Sequence, residues 1–170
     1  MRFFIVLAFL FNTAISIGQS LENQQSRIDS LVTVIESGTR QSPHTFSILS
    51  TQGKGPRIKY QYWLKNGHVT KIVRAFKIAN DSTVQTFYFT NNQLLYSTEY
   101  ITTYDFPNST EALSSWGGSY YFSKHKLIHF VTLGHGKSET EGWNPEHEVL
   151  SNCKVAKIDI KRNATKKGGG

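Results

Sequence analysis

One short pattern occurs three times in the chain, and it limits the fold more than any other feature. Tyr62-Trp63-Leu64-Lys65-Asn66-Gly67-His68-Val69, Phe87-Tyr88-Phe89-Thr90-Asn91-Asn92-Gln93-Leu94 and Tyr120-Tyr121-Phe122-Ser123-Lys124-His125-Lys126-Leu127 read alike. Each is two aromatics, a large apolar residue, a polar stretch holding a turn, and an aliphatic residue. Asn-Gly is a strong two-residue hairpin signal because both positions tolerate positive φ; Asn-Asn serves less well. Lys124-His125 is a poor two-residue turn, so the third loop is expected to be longer. The copies are irregularly spaced, which predicts a six-stranded antiparallel meander of three hairpins and not a solenoid. The strands fall at about 57–65, 68–79, 83–90, 93–104, 118–124 and 126–133.

A two-residue loop sets the register. It pairs Leu64 with Val69, Tyr62 with Lys71 and Tyr60 with Val73. In the same way Phe87 would face Tyr96, and Tyr120 would face His129. Side chains alternate, so these pairs share one sheet face, the core side. The second face then carries Trp63, Ile72, Tyr88, Leu95, Tyr121, Ile128 and Phe130. It is not polar. It must be partly covered, curl on itself, or present an aromatic surface for binding.

Helical segments flank the strands. Leu21, Ile28, Leu31, Val32 and Ile35 recur at helical spacing, and Gly38 ends the run. Asn144-Pro145-Glu146 is a good helix start: Asn caps, Pro fits the first turn, and the acids suit the dipole. Behind it the chain reads either as a helix or as a short helix followed by a last strand, 154–160, that alternates well. Phe46, Ile48 and Leu49 can add an edge strand. The fold class is therefore α+β, one domain over 19–160.

Residues 1–18 read as a cleavable signal peptide: Arg2, an apolar run from Phe3 to Phe11, and small residues before a cut between Gly18 and Gln19. The run is short of the ~20 residues of a membrane span. The style resembles signals of small exported proteins of Gram-negative bacteria, and periplasmic or secreted location is expected. The one cysteine, Cys153, has no partner, so packing must hold the domain together. Basic side chains number 19 against 12 acidic ones, but four of the cations sit in 161–170, which reads as a disordered basic tail. Asn80, Asn108 and Asn163 stand in glycosylation sequons, which matter only in a eukaryotic host.

Catalytic and metal motifs are weak. Gly134-His135-Gly136-Lys137-Ser138 looks like the end of a phosphate loop, but its first glycine would fall at Val131, and Gly142 and Pro145 interrupt any helix behind it. His125 and His129 lie i,i+4 on a strand, about 13 Å apart, too far to share a metal. His129 opposite Tyr120 reads as a core residue, and Cys153 as a buried filler. Glu139, Glu141, Glu146 and Glu148 read as a solvated loop and helix start. No nucleophile elbow occurs. No catalytic residue, metal or cofactor is expected.

One stretch points to binding. Lys54, Arg57, Lys59, Lys65, Lys71, Arg74 and Lys77 come without a single acid between them. The expected register sets Lys59 opposite Arg74, with Trp63 on the same face. Such cations beside an aromatic suit an anionic partner, though a charged edge hairpin that blocks aggregation is the favoured explanation of the charges themselves. Nucleic acid is a poor candidate, since the chain has an export signal and no nucleic-acid motif. The sequence thus favours a non-catalytic binding or interaction module, with Lys59, Trp63, Arg74, Tyr88 and Tyr121 as its contact residues and an anionic or hydrophobic ligand or another protein as partner. The alternative is a carrier with an apolar groove between sheet and helix. At the level of architecture an open sheet with a helix resembles periplasmic carriers of lipids and hydrophobic ligands.

Overall fold

The computed structural model describes residues 2–39, 42–50, 55–107 and 109–167, with side chains described from Ser20 to Thr165. Lys54, Asn108 and residues 168–170 lie outside them. The order is α1 (Arg2–Gly38), β1 (His44–Leu49), β2 (Arg57–Lys65), β3 (His68–Ile78), β4 (Asp81–Thr90), β5 (Gln93–Tyr104), β6 (Ala112–Ser123), β7 (Lys126–Leu133), a 3-10 turn at Lys137–Glu139, and α2 (Pro145–Lys167). The strands form one antiparallel sheet in chain order. The α+β meander therefore stands, with seven strands where six were counted; β1 is the added edge.

All three hairpin tips use a two-residue turn with positive φ at both positions: Asn66 and Gly67, Asn91 and Asn92, Lys124 and His125. The longer third loop expected from Lys124-His125 is thus corrected. The strands on either side pair so well that they force the left-handed conformation on two residues that disfavour it.

Behind every tip lies the same irregularity. Leu64 pairs with Val69, but Trp63 pairs with Lys71, leaving Thr70 extra. Phe89 pairs with Leu94 and Tyr88 with Tyr96, leaving Leu95 extra. Phe122 pairs with Leu127 and Tyr121 with His129, leaving Ile128 extra. A bulge of one residue exchanges the faces of everything beyond it. The expected pairs beyond the tips are corrected accordingly. Tyr62 faces Ile72, Tyr60 faces Arg74, Phe87 faces Ser97 and Tyr120 faces Phe130.

One face packs on α2. Tyr60, Phe87, Phe89, Tyr120 and Phe122 are almost fully buried there. They meet Val149, Cys153, Ala156 and Ile160, a single stripe on α2 at helical spacing. Asn144 caps α2 through its side chain, which accepts the His147 N–H at 3.0 Å. The helix runs on through Lys167, so the alternative of a final strand falls, and so does the tail reading for 161–167. The other face meets α1, which lies over the row nearest the hairpin tips. Among the described residues no helix is long and apolar enough to cross a membrane.

Candidate functional site

The α1 face carries one unbroken cross-strand row: Trp63, Lys71, Tyr88, Tyr96, Tyr121 and His129, each the register partner of the next. The Lys71 ammonium lies 4.9 Å from the Trp63 ring centre and 5.5 Å from that of Tyr88. It donates to Glu36 of α1 at 2.7 Å, and the Tyr88 hydroxyl donates to the same carboxylate at 2.5 Å. Burial pushes the Glu36 carboxyl up, but the bonds from Lys71 and Tyr88 outweigh it and hold the group below its usual range. Burial, with Tyr96 and Asp29 nearby, pushes the Tyr121 phenol up to about 12.

Three of the sequence candidates, Trp63, Tyr88 and Tyr121, are thus brought together, beneath α1. Lys59 lies on the same face, exposed, opposite Ala75. Arg74 lies on the other face, so the expected Lys59–Arg74 pairing is corrected by the Thr70 bulge. The cation that stands on Trp63 is Lys71. His129 is corrected too: it stands beside Tyr121 on the α1 face, with ring centres 5.9 Å apart, and not in the core. Beyond α1 this face is open, and Tyr100 and Leu133 project from it, Leu133 at 75 % exposure.

The α2 face holds a second row, of a different character. Arg74, Gln85 and Glu99 are consecutive register partners on β3, β4 and β5, and all three are buried. Lys137 enters from the loop after β7. It donates to Glu99 at 2.9 Å and is also paired with Glu148 of α2. Burial works against the Lys137 charge, but these two carboxylates outweigh it and hold its pKa above the ordinary lysine value. Gln85 donates to Glu99 at 2.7 Å, and the Trp143 indole donates to Glu148 at 2.7 Å. The sequence that imitates a phosphate loop is explained here. Its lysine is an internal counter-ion, and Gly136 is small because a Cβ there would meet the Trp116 ring at 2.9 Å. Glu148, read from the sequence as solvated, is part of this network.

Arg74 stands at the end of the row without such a partner. It is 7 % exposed. Among the described residues no carboxylate pairs with it, and its Nε has no hydrogen-bond partner. Its closest bond is a long one, 3.4 Å from Nη1 to the Asn152 carbonyl, and its guanidinium lies 5.1 Å from the Phe76 ring centre. Glu99 is two strands away, about 10 Å.

Arg74 borders a cleft of about 310 Å3 between the β1–β3 end of the sheet and the last turns of α2. Ile48, Leu49, Ile58 and Val155 form apolar walls, and Asp159, Arg162 and Asn163 supply polar groups. Asp159 is held by the Tyr60 hydroxyl, which donates at 2.7 Å. Val155, Asp159 and Arg162 recur at i, i+4 and i+7, one face of a helix; that spacing could have found them had the helix been carried through the tail. Another hollow, of about 350 Å3, lies beside Trp63 at the end of α1, but of its polar lining Ser42, His44, Lys65 and Asn66 are exposed and only Thr70 is half-buried. Cys153 is buried, and burial pushes its thiol up to about 11, which leaves it a poor nucleophile. Comparison with protein-family models, with curated proteins and with solved structures finds no match.

Proposed function

We propose that this chain is a non-catalytic binding protein that holds a small ligand in the cleft between β1–β3 and α2. The observation that carries the reading is Arg74, a buried guanidinium that no carboxylate pairs with among the described residues, at the edge of an apolar-walled cleft. A buried charge is costly unless it is paired, so a site that keeps one has a use for it. Ligand sites are typically apolar hollows with a few convergent polar groups, and this cleft has that make-up. The titratable groups on the same face favour binding over catalysis. Lys137, Glu99 and Glu148 are committed to one another, and burial raises the Tyr120 phenol far above its ordinary range. Residues 1–18 support export, to the periplasm or beyond.

The aromatic row on the α1 face is the rival contact surface. α1 lies across Trp63, Tyr88 and Tyr121, which leaves Lys59, Val84, Tyr100 and Leu133 for a partner. Native mass spectrometry of the protein from its own host's extract, repeated after denaturation, separates the readings. A small mass released on denaturation is expected. A bare chain that co-isolates with a second protein would favour the sheet face and overturn the cleft.

A further inference from the structure

We infer that the ligand of this cleft is an amphiphile with an anionic head, a carboxylate or a phosphate ester, and a short apolar body. The inference rests on the cleft being the binding site. Three observations carry it. First, the guanidinium of Arg74 is nine-tenths buried, has an unpartnered Nε and pairs with no carboxylate among the described residues. A guanidinium offers a planar fork of donors that matches carboxylate and phosphate oxygens two at a time. Second, the remaining charges of the lining are Asp159, engaged by Tyr60, and Arg162, one helical turn on. The lining therefore keeps a net positive charge. Third, beside the uncharged polar Ser50 and Asn163, the lining has an apolar wall of Ile48, Leu49, Ile58 and Val155, which a free inorganic anion would leave unused. At about 310 Å3 the cleft is near the small end of ligand pockets, which limits the apolar body to a short chain.

The test is isothermal titration of the full chain, isolated from its own host, against four probes: octanoate, octyl phosphate, octanol and inorganic phosphate. Octanoate or octyl phosphate is expected to bind one site at least tenfold more tightly than octanol or inorganic phosphate. The stronger of the two identifies the head group. Arg74→Met is expected to weaken that probe at least tenfold while raising the melting temperature of the unliganded protein, because it removes a buried unpaired charge. Arg162→Gln, at the exposed mouth, is expected to weaken it severalfold with no change in melting temperature, and it decides the matter if Arg74→Met does not fold. Octanol binding as tightly as octanoate, or octanoate affinity indifferent to both substitutions, would overturn the anionic head while leaving a binding cleft. Failure of all four probes would overturn the inference, and native mass spectrometry would then say whether the cleft holds anything at all.

Discussion

Tyr60 and Asp159 lie 99 residues apart in the chain and 2.7 Å apart in the fold, the hydroxyl on β2 donating to the carboxylate on α2. The bond ties the sheet to the helix beside the cleft. Burial and this bond together raise the Tyr60 phenol far above its ordinary range. A hydrogen bond to a charged group is worth about 2 kcal/mol. Tyr60→Phe is therefore expected to lower the melting temperature by several degrees in a circular-dichroism melt, with Asp159→Asn falling short of that loss.

Among the described residues Lys137 is the only cation paired with Glu99, which is 5 % exposed. Removing one partner of a buried pair leaves the other uncompensated, at about 3 kcal/mol. Urea unfolding of Lys137→Met should show a loss of that order. The double variant Lys137→Met/Glu99→Gln should be the more stable of the two, since the stranded charge is gone.

Glu36 gives α1 a pH-dependent hold on the sheet. Its folded-state pKa is lowered below 4.5, so its contribution is full above that value and is lost as pH falls through the folded pKa. The carboxylate is 41 % exposed, which keeps the effect under about 1 kcal/mol. Melting curves of wild type and Glu36→Gln should differ at pH 7 and draw together only as the pH falls through the lowered folded pKa. A gap that persists unchanged into acid would mean that the ion pair with Lys71 does not hold the helix.

Gly118 and Tyr120 are coupled through a steric limit. A Cβ at position 118 would run into the Tyr120 hydroxyl oxygen, and that ring is fully buried. Gly118→Ala should cost about 1–3 kcal/mol through overpacking. The hydroxyl itself has no hydrogen-bond partner among the described residues, so Tyr120→Phe should be close to neutral. In a double-mutant cycle, Tyr120→Phe should restore only part of what Gly118→Ala loses, because the added Cβ would still meet the ring carbon Cζ at 2.7 Å.

The third hairpin tip is a place to gain stability. Lys124 and His125 hold φ of 49° and 67°. Left-handed backbone costs an ordinary residue about 1–2 kcal/mol, and Asn-Gly accepts it at little cost. Lys124→Asn/His125→Gly should raise the midpoint of denaturation, whereas the same test at Asn66-Gly67 has nothing left to gain.

The elements of this fold were legible because they rest on local signals. Hairpin chemistry and alternation place every strand end within two residues except the start of β6, which lies at Ala112, six residues before the expected 118, and the Asn144 cap marks the start of α2. Register beyond the tips was not legible. Thr70, Leu95 and Ile128 are β-branched or apolar residues that suit a regular strand, and nothing in their chemistry announces a bulge. The site was visible only in pieces. Trp63, Tyr88 and Tyr121 sort correctly onto one face because they stand just before the tips. Arg74, beyond a bulge, was assigned to the wrong side. Lys137, Glu99 and Glu148 come from three separate elements, and no spacing in the chain joins them. Arg162 escaped notice because a polar helix end resembles a tail in composition.

The bulge behind each tip sets the rule by which this sheet can change in length. Each hairpin brings two strands and one surplus residue, always at the same distance from its turn. A hairpin copied or deleted whole therefore keeps every other strand in phase, the α2-facing aromatics still inward and the Trp63 row still outward. Loss of one surplus residue alone would invert the remainder of its strand. The hairpin with its bulge is thus the smallest unit by which such a sheet can grow or shrink without turning inside out.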